Sequence, residues 1–214
     1  MPWNLEEGLR YLSGKDKRMA EAIKEIGMST RSGAEGLFEG LVSSIIGQQI
    51  SIKAADSIWR RLEAAMGEIT PERLAGAELS ELTACGLSGR KAEYVRGAAE
   101  AVVSGSLDLD ALETADDETV IRELVKLRGV GRWTAEMLLI FSLRRQDVMS
   151  YDDYGLRTGL CRLYHHQDMP KERFERYRKR FSPYGTAASL VLWEIVAGKA
   201  QKACGGAGKN ERSV

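Results

Sequence analysis

Apolar residues recur along this chain at the spacing of a helix rather than a strand. Leu37, Leu41 and Ile45 fall every four residues, as do Ile58, Leu62 and Met66, so each trio lines one face of a 3.6-residue repeat. Ser88 stands ahead of a segment whose Val95, Ala98, Ala99 and Val102 share a face, and its hydroxyl is suited to cap that helix. Pro71 and Pro170 sit like first-turn residues of two further helices, where a missing amide costs nothing. The pattern carries no β-hairpin signal and no fixed repeat. The stretch 134–143, TAEMLLIFSL, is apolar on almost every side, which predicts a helix buried at the centre and joining two lobes. The expected fold class is therefore all-α, a two-lobed helical bundle. Lobe A covers about 1–35 plus 147–200, lobe B about 36–146, and a glycine-rich, polar tail over 201–214 is expected to be loosely ordered.

Composition narrows the class without naming it. At 214 residues with 43% hydrophobic content the chain has enough material for a sizeable core. Lys+Arg 31 balances Asp+Glu 31, so any nucleic-acid surface has to be a local patch. Cys85, Cys161 and Cys204 are odd in number and widely spaced, which argues against a disulfide framework, a zinc site or a four-cysteine iron–sulfur cluster. The N-terminal MPWNLEEGLRYL has no basic region followed by an apolar run, and the longest apolar run is MLLIF at 137–141. A cytoplasmic protein without a membrane segment is expected.

Chemistry concentrates in two stretches. In LRGVGRWTAEML, residues 127–138, Asp116 or Asp117 would cap a helix running through Val120 and Leu124 to Leu127. RGVGR then turns the chain, and a second helix starts near Trp133. Gly129 and Gly131 permit positive φ and close approach of another backbone, and the amides opening the second helix are anion donors. Lys126, Arg128 and Arg132 surround this turn with charge suited to phosphate. A dinucleotide fingerprint does not fit, because Thr134 holds the third glycine's place and the preceding segment is helical. A plain αα-turn uses the same glycines, so the local pattern serves both readings.

The second stretch, DVMSYDDYGLR, places Asp147, Asp152 and Asp153 before a helix carrying Leu156, Leu160 and Leu163. By itself it reads as an aspartate N-cap. Further on, KERFERYRKRF (171–181) aligns Phe174, Tyr177 and Phe181 on one face and carries six basic residues against two acids. It reads as a solvated face with some prospect of DNA-backbone contact. His165 and His166 show no metal or triad pattern and are read as surface residues.

Taken together, LRGVGRWTAEML and DVMSYDDY resemble the helix-hairpin-helix DNA glycosylase superfamily, in its alkylation-repair branch of DNA-3-methyladenine glycosylases of type II. LFEGLVSSIIGQQIS (37–51), GLSGRKAEYV (86–95) and FSPYGTAASLVLW (181–193) extend the resemblance over about residues 35–195. It implies a monofunctional glycosylase of base excision repair, acting as a monomer on double-stranded DNA. Such an enzyme hydrolyses the N-glycosidic bond of alkylated purines such as 3-methyladenine in a cleft between the lobes.

The resemblance assigns the catalytic carboxylate to Asp153, which would stabilise positive charge developing on the sugar. Bifunctional members carry a lysine nucleophile where this chain has Trp133, so no Schiff base is expected. Trp133, Met137, Trp193 and Tyr154 match pocket positions for the flipped base, where an indole face suits a cationic purine. Gln48 and Gln49 fall at the probing and wedging positions, and Gly129, Gly131, Arg132 and Thr134 at the DNA-contacting hairpin. Main-chain carbonyls near Val125, Leu127 and Val130 would hold a structural Na+ or K+. No cofactor is required for the chemistry and no iron–sulfur cluster is implied.

Two other readings are kept. A noncatalytic helix-hairpin-helix DNA-binding module would retain Gly129 and Gly131 without needing an acid at 153. A glycosylase for an oxidised or deaminated base would share the scaffold, and a bifunctional one would need the missing lysine.

Overall fold

The computed structural model describes residues 4–27 and 36–205, which form thirteen helices and no strand. The all-helical expectation holds. The chain divides into two compact units, unit 1 comprising Met1–Arg31 and Arg144–Val214, and unit 2 comprising Ser32–Leu143.

Unit 1 opens with α1 (Leu5–Lys15) and α2 (Lys17–Ile26). Asn4 caps the first by accepting the Glu7 amide. The buried Asp16 ends α1 and begins α2, its Oδ1 accepting the Arg18 and Met19 amides. One residue thus satisfies donors that a helix start leaves open, and the corner is fixed without a loop.

Unit 2 holds α3 (Leu37–Gly47), α4 (Ile52–Met66), α5 (Pro71–Gly76), α6 (Leu79–Ala84), α7 (Gly89–Val103), α8 (Leu109–Thr114), α9 (Asp117–Leu124) and α10 (Arg132–Phe141). Ser51, Thr70, Ser88, Asp108 and Asp116 each accept an amide of the helix that follows. Thr119, through its hydroxyl and then its amide, holds the Asp116 carboxyl below its usual range. Val95, Ala98 and Ala99 of α7 are buried, and in α10 every residue from Thr134 to Ile140 is buried, as the all-round apolar pattern required. α9 stops at Leu124, three residues short of the expected end. The amides of Lys126 and Leu127 reach back only three residues, to Glu123 and Leu124, so the hairpin begins there.

Unit 1 resumes with α11 (Tyr154–Tyr164), α12 (Lys171–Phe181) and α13 (Gly185–Val196). Leu12, Met19, Leu160, Phe174, Phe181 and Leu192 share its core, each such side chain contributing roughly 1.5–3 kcal/mol by leaving water. A Cβ on Gly159 would lie 2.8 Å from the Leu192 carbonyl oxygen, so glycine there is what lets α11 close on α13. Pro170 is the N-cap of α12 rather than a first-turn residue, with extended backbone (ψ 156°), as its fixed φ allows.

The amides of Lys202 and Ala203 donate to the two carboxylate oxygens of Glu25 at 3.0 and 2.9 Å. Those bonds tie residues 201–205 to α2, so the loose tail expected from 201 onward does not begin there. The expectation for 206–214 lies outside the described residues. Among the described residues no helix is long and apolar enough to cross a membrane.

Candidate active site

Asp153 is the N-cap of α11 and only 6% exposed. Its Oδ1 accepts the Leu156 amide at 2.7 Å and the Trp193 indole Nε1–H at 3.0 Å. A carboxylate held by one backbone and one side-chain donor cannot swing away from its aim. Gly155 makes this possible: a Cβ there would sit 2.9 Å from Trp193 Cδ1 and 3.0 Å from Asp153 Oδ1. Trp193, expected to face the flipped base, therefore also holds the acid.

The approach to Asp153 is pinned to the start of α13. Thr186 Oγ1 donates to the Arg145 carbonyl at 2.6 Å and accepts the Val148 amide at 3.1 Å, and Ser189 Oγ donates to the Val148 carbonyl at 2.9 Å. Asp147 accepts the Gly185 amide at 2.8 Å and the Ser182 hydroxyl at 2.6 Å. Tyr154, beside the acid, is 75% exposed; it lines an open groove along α11 and takes no part in the core.

In unit 2 the hairpin between α9 and α10 meets the turn between α3 and α4. Gln48 Nε2 donates to the Gly129 carbonyl at 2.8 Å. Lys91 Nζ donates to the Ile46 and Gln48 carbonyls, 2.7 Å each, closing the C-terminal end of α3, and burial pushes the lysine below its usual range. Gln49 is exposed with φ 57°. Gln48 is thus committed to the hairpin, while Gln49 projects from the turn.

The two hairpin glycines differ. Gly129 has φ 85°, and a Cβ on it would run into the Tyr94 ring, over which Arg128 places its guanidinium at 5.9 Å. Gly131 has φ −95°, and nothing lies within 4 Å of an added Cβ. Positive φ is therefore confined to Gly129, and Gly131 leaves open surface at an α10 N-terminus that has no side-chain cap.

Arg132 does not stand as a spare cation at the turn. It pairs with Glu118 at 2.5 Å and Glu136 at 3.1 Å, and the Glu118 bond foremost holds its proton more tightly than usual. Its charge is compensated within the protein, which weakens the phosphate role expected from sequence. Thr134 is buried, leaving only its backbone for a ligand. Trp133 is 43% exposed, and Met137, one turn on, is buried.

Residues 42–183 match the family model described as HhH-GPD superfamily base excision DNA repair protein. The chain belongs to the HhH-GPD superfamily. It is 33% identical over 192 residues to DNA-3-methyladenine glycosylase 1 of Schizosaccharomyces pombe, covering 86% of this chain and 84% of that one. The solved structure of the S. pombe 3-methyladenine DNA glycosylase in complex with abasic DNA superposes with a TM-score of 0.78 at 31% identity, over 89% of this chain and 97% of the other. A DNA-3-methyladenine glycosidase from Bacillus halodurans gives a TM-score of 0.80 at 38% identity, over 91% of each chain.

For an HhH-GPD chain the residues that sequence reasoning missed are the supports: Asp147, Gly155, Lys91 and Tyr94. Lys91 and Tyr94 lie in GLSGRKAEYV, which carried the resemblance without any role attached, and a glycine directly after DDY was the one available sign of close approach. The carbonyls of Val125, Leu127 and Val130 are the hard oxygen donors an alkali cation takes. Leu127 O accepts the Val130 amide at 3.2 Å and keeps a second lone pair. Among the described residues no group of three or more His, Cys, Asp or Glu could hold a metal.

Proposed function

We propose that this protein is a monofunctional DNA glycosylase of base excision repair, releasing alkylated purines such as 3-methyladenine from double-stranded DNA as a monomer. The observation that carries the reading is the buried Asp153 carboxylate, one oxygen held by the Leu156 amide and the Trp193 indole. The 3-methyladenine glycosylase names of its S. pombe and B. halodurans relatives support it.

Breaking the C1′–N bond sends the bonding pair to the departing base and leaves positive charge on the sugar. A carboxylate fixed in advance offsets that charge without reorganising as it forms, the kind of effect worth about 2.7–4 kcal/mol for one donor elsewhere. Water then adds its oxygen to C1′ and loses a proton, leaving an abasic site. An N-alkylated purine is cationic before cleavage and departs neutral, so no general acid is needed. The Trp133 position supplies no amine for a Schiff base, and its exposed indole offers a π face to a cationic purine.

DNA backbone would meet the amides after Gly129 and Gly131, with Gln49 entering the gap left by the flipped nucleotide. An alkali cation on the Val125, Leu127 and Val130 carbonyls would add positive charge facing a phosphate.

The test is base release from methylated duplex DNA by the wild type and Asp153→Asn, with and without alkali. The expected outcome is free 3-methyladenine, strand breaks only after alkali, and no release by the variant. Asparagine caps a helix as well as aspartate, so the variant should fold and bind duplex within a few-fold. Equal release by Asp153→Asn would overturn the reading.

A further inference from the structure

Along α11 and the turn after α13, unit 1 carries a groove of about 950 Å³, with Tyr154 at its wall next to Asp153, then Arg157, Arg162, His165 and His166. A second hollow of about 270 Å³ shares His166 and adds Arg173, Arg176, Tyr177 and Arg180 of α12. No aspartate or glutamate lines either. Arg173 and Arg180 are paired with Asp168 and Asp16, both at 2.8 Å, whereas the exposed Arg176 has no ion pair among the described residues. The Arg157 guanidinium lies 5.3 Å from the Tyr151 ring centroid, and its Nε is buried without an acceptor.

Charge follows the same division. Lys and Arg outnumber Asp and Glu by 20 to 13 in unit 1, and are outnumbered 11 to 18 in unit 2. The proposed hairpin clamp therefore sits in the acidic unit and depends on backbone amides, while the long-range attraction for a polyanion comes from unit 1.

We propose that this face of unit 1 binds single-stranded nucleic acid, a base stacking on Tyr154 and phosphates passing Arg157 and Arg162 toward Arg176. A groove with two arginines along it, arginines beyond it on α12 and an exposed aromatic at its wall is the arrangement that follows one strand, because every base has a face to stack and the charges track the backbone. That the strand is DNA rests on the proposed function above.

The test is fluorescence anisotropy with labelled oligo(dT), a probe with no excisable purine, so that binding is measured independently of base release. The variants are Arg176→Glu alone and Arg162→Glu with Arg176→Glu, and thermal melting checks their folding because Arg162 also donates to the Val196 carbonyl. A control of equal charge change, Arg10→Glu with Lys24→Glu, lies outside both hollows. The expected result is about a tenfold loss for the double variant and a shallower salt dependence, since each lost phosphate contact reduces the slope by about 0.7 for a single strand. Arg176→Glu alone gives part of that loss, and the control little of it. Unchanged affinity in folded variants, or an equal loss in the control, would overturn the proposal.

Discussion

The Trp193 indole nitrogen and the Leu156 amide donate to the same oxygen of Asp153, at 3.0 and 2.7 Å. The acid is aimed from two elements at once, by its own helix and by α13. Trp193→Phe keeps an aromatic ring and removes one donor. A hydrogen bond to a charged group is worth roughly 1.5–3 kcal/mol, so single-turnover excision should fall about tenfold or more. Duplex affinity should stay within two-fold. An unchanged rate would show that the indole does not position the carboxylate.

Gly155→Ala should act on the same contact without removing any polar group. The added methyl meets Trp193 Cδ1 at 2.9 Å, and overpacking of this kind costs about 1–3 kcal/mol, partly offset by alanine's better helix propensity. Melting temperature should fall by no more than several degrees while excision drops. Combined with Trp193→Phe the losses should be less than additive. Full additivity would mean that the two substitutions act by separate routes.

The hairpin glycines should separate stability from binding. Gly129→Ala has to hold φ near 85° and displace the Tyr94 ring, and is expected to destabilise by about 1–3 kcal/mol, with Tyr94→Ala restoring part of the loss. Gly131→Ala has φ −95° and open space, so its melting curve should match the wild type. Gly131→Leu should fold and lose affinity for damaged and undamaged duplex alike. A loss confined to damaged DNA would contradict a backbone contact there.

Local signals made much of the scaffold legible. Ser88, the Asp116–Asp117 pair and Pro71 announce helix starts because caps and first-turn residues act within three positions, and the α10 pattern announces burial because it is apolar on every face. Supports acting over distance left no such trace. Asp147 reaches residues 35 and 38 positions away, and Lys91 closes α3 from more than 40 positions on. Arg132 has partners the turn's basic neighbours did not announce: Glu136, one turn further along the helix, was already in view in the sequence, and Glu118, 14 positions earlier, completes the pairing. Gly129 and Gly131 looked alike in sequence and differ because only one has a ring beneath it.

Acid should weaken the fold through His166. Burial foremost, then Arg173, Arg18 and Arg176, hold its imidazole below the usual 6.5, with Asp168 opposing, while Nε2 meets the Tyr177 hydroxyl at 2.8 Å. Between the lowered folded value and 6.5 the unfolded chain binds more protons than the folded one, so stability rises with pH across that window. Melting temperature should climb through it, and His166→Gln should flatten the climb. NMR titration of the imidazole should place its midpoint below 6.5.

Unit 2 is one uninterrupted stretch of chain, while unit 1 is assembled from both ends, with α1 and α2 packed in the same core as α11 to α13. During synthesis the inserted unit has all its partners once residue 143 has emerged, whereas Leu12 and Met19 wait for helices some 140 residues later. The order of folding on the ribosome is set by this topology, with the hairpin-bearing part ready first and the part that holds the carboxylate completed last. A nascent chain stalled before α13 would expose the apolar faces of α1 and α2, and it is this stage that most needs shielding from aggregation.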